Sequence, residues 1–202
     1  MLPIDTFPEF ARHSAKTEIN NPLDKPERAK PLAGKLQPSW ARQNPSSSVW
    51  YLMTSSHVDN SDAFPSRLLR ANGNLRFASV DAGEIFRGTA LQELFESADW
   101  FFHSDFPAVV LSDLLRVALV WRLGGFYCDT DTVCLKDTGH LRNVASYAQQ
   151  DIGKISNFCF HFRAHHRFLD TLMEVQKENF QFLKKKNKLT LMPSMPLFLH
   201  NS

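Results

Sequence analysis

The chain has 202 residues, of which 43% are hydrophobic and seventeen are Phe, enough to bury the core of one domain of ordinary size. A formal charge of +2 offers no electrostatic argument for a nucleic-acid partner. No apolar run of about 20 residues exists, which excludes a membrane-spanning helix within this sequence, and the first thirty residues hold no signal-peptide core.

Residues 1–37 carry many Pro, Lys, Asp and Glu with little apolar periodicity, and are expected to form a poorly ordered arm. Residues 38–182 are expected to be the folded core. Within it, the apolar run Val49 to Met53 predicts a strand buried on both faces, and Leu75 to Val80 predicts another. Ser66 to Arg70 suggests a short helical turn between them. Thr89-x-x-Gln92 has the form of a capping box opening a helix whose apolar face is Leu91, Leu94 and Phe95. Pro107 to Leu123 reads as a long helix, with Pro at its first turn and Gly124 just past its end. A strand from Phe126 to Asp129 follows, and Ile155 to Phe162 is a further strand. Phe168, Leu172 and Val175 then recur at helical spacing and are read as core. Strands alternating with helices imply an α/β sheet. In the tail, residues 183–202, the run from Lys184 to Lys188 reads as solvated, with contact to anionic phospholipid as the alternative. The apolar stretch after it is broken by Pro193 and Pro196.

The chemistry concentrates in residues 124–134, Gly-Gly-Phe-Tyr-Cys-Asp-Thr-Asp-Thr-Val-Cys. Alternate strand residues share a face, so Asp129 and Asp131 are expected to turn together toward one hard cation. Such oxygen ligands suit magnesium or manganese bound to a diphosphate. On the preceding helix, Asp113 and Arg116 are three residues apart and so share a face. They form either a surface or half-buried ion pair of little consequence, or a carboxylate and guanidinium that divide a sugar's hydroxyls between them. Gly124 and Gly125 permit a sharp reversal that would gather Asp113, Arg116, Asp129 and Asp131 around one crevice.

Ser112-Asp113-x-x-Arg116 followed by Gly124-Gly125-x-Tyr127-x-Asp129-x-Asp131 resembles the signature of glycosyltransferases that carry a sugar-binding region with a DXD motif. The likeness is greatest to the α1,4-galactosyltransferases and α1,4-N-acetylgalactosaminyltransferases of glycolipid synthesis. It runs from Trp40-Ala41-Arg42-Gln43-Asn44-Pro45 to Asn157-x-x-Phe160 and His166-x-Phe168, about two thirds of the chain. The resemblance implies a GT-A-like α/β fold, Rossmann-related and here incomplete. It further implies a UDP-galactose or UDP-N-acetylgalactosamine donor, a glycolipid or other glycan acceptor, and Mn2+ or Mg2+ as cofactor. Transfer would retain the anomeric configuration and form an α1,4 linkage, with front-face attack and a covalent intermediate both open. Asp129 and Asp131 match the DXD pair that holds metal and diphosphate. Asp113 and Arg116 match the pair that contacts the donor sugar, and Tyr127 either lines the donor pocket or packs as strand core. Relatives of this kind are anchored in the Golgi membrane by one N-terminal helix. The family's first strand, that anchor and a C-terminal Gly-Pro segment have no counterpart here, so the resemblance implies a chain truncated at both ends, active or reduced to nucleotide-sugar binding.

Two alternatives stand beside this reading. Asp129-Thr-Asp131-Thr-Val133 after an apolar strand also fits the first motif of haloacid-dehalogenase-like phosphatases, with Asp129 as nucleophile, but no downstream acidic pair completes the magnesium site. His161, His165 and His166 near Cys159 could mark zinc, but a matching ligand pair is lacking. Of three cysteines, Cys128 and Cys159 lie in apolar runs and are expected to be buried free thiols.

Overall fold

The computed structural model describes residues 39–53, 71–147 and 155–185. The expected arm, the turn at Ser66 to Arg70 and the tail beyond residue 185 lie outside them. The chain divides into two compact units: residues up to Asp81 with Asp129–His140, and Ala82–Cys128 with Leu141 onward.

The first unit contains helix α1 (Ser39–Gln43) and strands β1 (Val49–Met53) and β2 (Leu75–Ser79), paired in parallel from Val49 opposite Leu75 to Met53 opposite Ser79. The expectation that β1 is buried on both faces fails, since Val49, Trp50 and Tyr51 are half-buried and Leu52 is exposed. A two-stranded sheet covers β1 less fully than the interior of a large parallel sheet would. Asn74 ties the unit together: its side-chain amide donates to the carbonyls of Ala41, Asn44 and Ser47 at 2.9–3.0 Å.

The second unit runs through three short helices, α2 (Ala82–Phe86), α3 (Gln92–Glu96) and α4 (Asp99–Phe102), into the long helix α5 (Pro107–Leu123). Strands β3 (Gly125–Cys128), β4 (Val144–Tyr147) and β5 (Ile155–Phe162) form an antiparallel sheet in the order β3-β5-β4, and helix α6 (Arg167–Lys185) follows. Almost every residue of α5 from Val110 to Val120 is buried, as an all-round apolar helix requires. Helix α6 is two-faced and buries Leu169, Leu172, Met173, Gln176, Phe180 and Leu183. Phe168 and Val175, expected in the core, are half-buried at the edge of that stripe.

The capping box at Thr89 takes another form. Leu91 occupies the N-cap of α3 without a side-chain cap. Thr89 Oγ1 instead accepts from the Leu91 N–H and donates to the Phe86 carbonyl, and Gln92 Oε1 accepts from the Gly88 N–H. Thr89 thus serves the turn before the helix, while Leu91, Leu94 and Phe95 face the core or its aromatic edge as expected.

Cys128 and Cys159 are not free thiols. They form a disulfide, because the β3-β5 register sets them directly opposite each other with their Cα atoms 4.2 Å apart. Reading each strand separately hides such a cross-strand pair; Cys134 remains as a buried free thiol. The bond closes a 31-residue separation, for which restriction of the unfolded chain is worth about 4 kcal/mol. Cys159→Ser, or reduction of the native chain, is expected to lower the thermal midpoint by several degrees in calorimetry. Equal midpoints in oxidised and reduced samples would contradict this link.

The zinc alternative falls with the disulfide. Cys159 is consumed, His161 Nδ1 accepts the Asn143 N–H at 3.1 Å, and no group of three His, Cys, Asp or Glu suited to a metal occurs among the described residues. Burial, reinforced by the positive charge of Arg142, holds the His161 imidazole below its usual value of about 6.5. The unfolded chain therefore takes up this proton first as pH falls. Stability contributed by neutral His161 is complete above about pH 6.5 and declines below it, toward the depressed folded value. A His161→Gln variant should show a flatter melting-temperature profile between pH 7 and pH 5 than the parent chain.

Candidate functional site

Gly124 makes the turn from α5 into β3 possible. Its φ of 69° lies in the region that favours glycine, and a Cβ there would stand 2.8 Å from the Ala164 backbone nitrogen. Gly125 follows at φ 104°, and the Trp121 carbonyl accepts the His165 N–H at 2.7 Å beside them. The double glycine thus fixes where β3 starts.

Strand β3 ends at Cys128, one residue short of the expected boundary, and Asp131 lies beyond it. The strand-face argument for Asp129 and Asp131 therefore does not hold. The two carboxylates stand on a turn instead: the Asp129 carbonyl accepts from the Thr132 N–H at 3.1 Å and from Thr132 Oγ1 at 2.6 Å. Asp129 is half-buried and Asp131 exposed. Two hard oxygen donors on an accessible turn fit a cation that takes its remaining ligands from diphosphate and water, as magnesium and manganese do.

The turn is braced from far upstream, through residues to which the sequence alone assigned no role. Trp40 Nε1 donates to Thr132 O and Oγ1 at 3.3 and 3.2 Å. The buried Asn44 accepts from both the N–H and the hydroxyl of Thr138 at 2.9 Å, and Ser39 Oγ accepts the Cys134 N–H. The Trp40 to Pro45 segment thereby shapes the chain that follows the DXD pair.

In the second unit, three of the five singled-out residues come together. Asp113 and Arg116 form an ion pair at 3.2 Å with side chains only 3% and 8% exposed, which rules out the surface pair considered from sequence. Burying both charges requires further partners. Arg116 Nε donates to Ser112 O, Nη2 to Ser112 Oγ and Nη1 to the Asn157 carbonyl, at 3.0–3.2 Å. Asp113 Oδ1 accepts from Asn157 Nδ2 at 2.8 Å. The Tyr127 ring lies beneath the guanidinium, its centroid 5.1 Å from Cζ, and also meets Phe160. From α6, the buried Gln176 Nε2 donates to the Asp113 carbonyl at 3.2 Å. Ser112 could have been found from its i, i+4 spacing to Arg116. Asn157 could have been found as the one amide in an apolar strand.

This double-glycine turn, carboxylate pair and buried Asp–Arg pair are carried by an α/β chain of incomplete, GT-A-like fold. Residues 33–159 match the family described as glycosyltransferase sugar-binding region containing DXD motif. The chain belongs to that family. It is similar to lactosylceramide 4-alpha-galactosyltransferase of Homo sapiens, 36% identical over 115 residues that cover 52% of this chain and 31% of that protein. The Rattus norvegicus enzyme of the same name is 31% identical over 140 residues, covering 65% of this chain and 36% of its own length. The chain spans about a third of the length of these curated relatives. Among solved structures, PaToxG Glycosyltransferase superposes with a TM-score of 0.56 at 17% identity, covering 78% of this chain and 58% of the other. That likeness concerns the fold. The family match leaves the phosphatase alternative without support. No described helix is long and apolar enough to cross a membrane.

Proposed function

We propose that the chain is a metal-dependent hexosyltransferase moving galactose or N-acetylgalactosamine from a UDP-sugar to a glycolipid or glycan acceptor, with retention and an α1,4 linkage. The carrying observation is the run Gly124-Gly125-x-Tyr127-x-Asp129-x-Asp131, folded as a strand tip and turn in a chain of this family. The name of the mammalian relatives supports galactose as the sugar and a ceramide-linked glycan as the acceptor.

In this reading Asp129 and Asp131 hold Mn2+ or Mg2+, which when bound neutralises charge on the departing diphosphate. Asp113 and Arg116 bind and orient the sugar's hydroxyls, in a desolvated setting where each hydrogen bond is strengthened. Tyr127 keeps Arg116 in place from below. Residues 38–182 constitute the catalytic core. A Golgi membrane location accords with the Cys128–Cys159 disulfide, which suits an oxidising lumen.

The test is calorimetry of UDP binding with and without manganese, followed by galactose transfer from UDP-galactose to lactosylceramide in micelles. Manganese-strengthened binding with transfer is the expected result. Binding indifferent to metal would reject the reading, and metal-dependent binding without transfer would reduce it to nucleotide-sugar binding.

A further inference from the structure

Asn157 stands at a break in the sheet. Strand β4 pairs Ala145 with Phe160 and then Ser146 with Ser156, so Asn157 falls in the register shift, and it lies beyond the last β3 pair at Cys159. Among the described residues no strand partner is matched to it in either ladder, and its backbone carbonyl accepts from Arg116 Nη1 at 3.0 Å. Its side-chain amide meanwhile donates to Asp113 Oδ1 at 2.8 Å. One residue thus touches both members of the buried pair, once through its backbone and once through its side chain. Asp113 Oδ1 also receives Arg116 Nη2 at 3.2 Å, so the amide and the guanidinium converge on one carboxylate oxygen.

We propose that Asn157 is a positioning residue of the donor-sugar site, locking the Asp113 carboxylate and the Arg116 fork in the orientation that reads the sugar. The inference rests on the proposed role of Asp113 and Arg116 toward a nucleotide-sugar. An amide is needed because a neutral donor must face a carboxylate while its own carbonyl bond to Arg116 persists; a carboxylate at 157 would repel Asp113 until the two shared a proton. Among the described residues, the charged or titratable groups that face this amide and its partners include Asp113 and Arg116 of α5 and Tyr127 of β3, below the guanidinium.

The experiment compares UDP and UDP-galactose binding to the full chain by calorimetry in manganese. Asn157→Ala is expected to weaken UDP-galactose about tenfold, the scale of one lost hydrogen bond to a charged group, while leaving UDP within about twofold. Asn157→Asp should behave similarly at pH 8 and regain UDP-galactose affinity relative to UDP as pH falls toward 5.5. Unchanged UDP-galactose binding in Asn157→Ala, equal weakening of both ligands, or a pH-independent ratio in Asn157→Asp would each overturn the proposal while the donor-site reading stands. A parent chain whose affinity is indifferent to manganese and to the sugar overturns both together.

Discussion

Asp131→Ala is expected to abolish the gain in UDP affinity that manganese confers and to lower sugar transfer by about a thousandfold. The magnitude follows from removing one of two carboxylate donors from a centre that supplies several kcal/mol to the departing diphosphate, at about 1.4 kcal/mol per decade of rate. Asp131 is exposed on its turn, so the melting temperature should move little. That contrast makes the measurement decisive: calorimetric titration of UDP with and without manganese, beside a thermal melt. Retained metal dependence in a folded variant would remove Asp131 from the proposed centre.

Arg116→Ala is expected to cost stability as well as function. The guanidinium has an 8% exposed side chain and neutralises a carboxylate that is 3% exposed, and breaking such a pair from one side typically costs about 3–5 kcal/mol. Urea denaturation should register that loss as a lower midpoint with an unchanged slope. Replacing both partners, as Asp113→Leu with Arg116→Met, should restore much of the stability, since no uncompensated charge is then left inside. The double variant should nevertheless stay blind to the sugar, binding UDP and UDP-galactose alike. Recovery of sugar discrimination with recovered stability would mean that the pair only fills the core.

Elements set by local chemistry were legible in the sequence. Helix Pro107–Leu123 and strands Val49–Met53 and Ile155–Phe162 have the expected bounds, because proline, glycine and uninterrupted apolar runs act within a few residues of themselves. The family signature was legible for the same reason, lying within the short stretch from Ser112 to Asp131. Long-range pairing was not. Nothing in the residues near Cys128 announces that an antiparallel register will bring Cys159 opposite, and the Trp40 to Thr132 bond joins positions 92 apart. Burial was misjudged in both directions: β1 has an exposed Leu52, while Asp113 and Arg116 are nearly sealed. In each case the deciding quantity is how many layers cover the element, which no local window contains. The placing of Asp129 and Asp131 on a turn was likewise hidden, since Thr132 closes that turn through a bond that strand-forming residues on either side do not foretell.

The bond from the Trp40 indole to Thr132 gives the molecule an optical reporter of its own. Indole emission shifts in colour with the polarity and hydrogen bonding around the ring, and Trp40 is anchored three residues from Asp129 by the turn that Thr132 closes. With the other three tryptophans, Trp50, Trp100 and Trp121, exchanged for phenylalanine, fluorescence would watch a nucleotide arrive at that turn in real time, without a dye or a radiolabel.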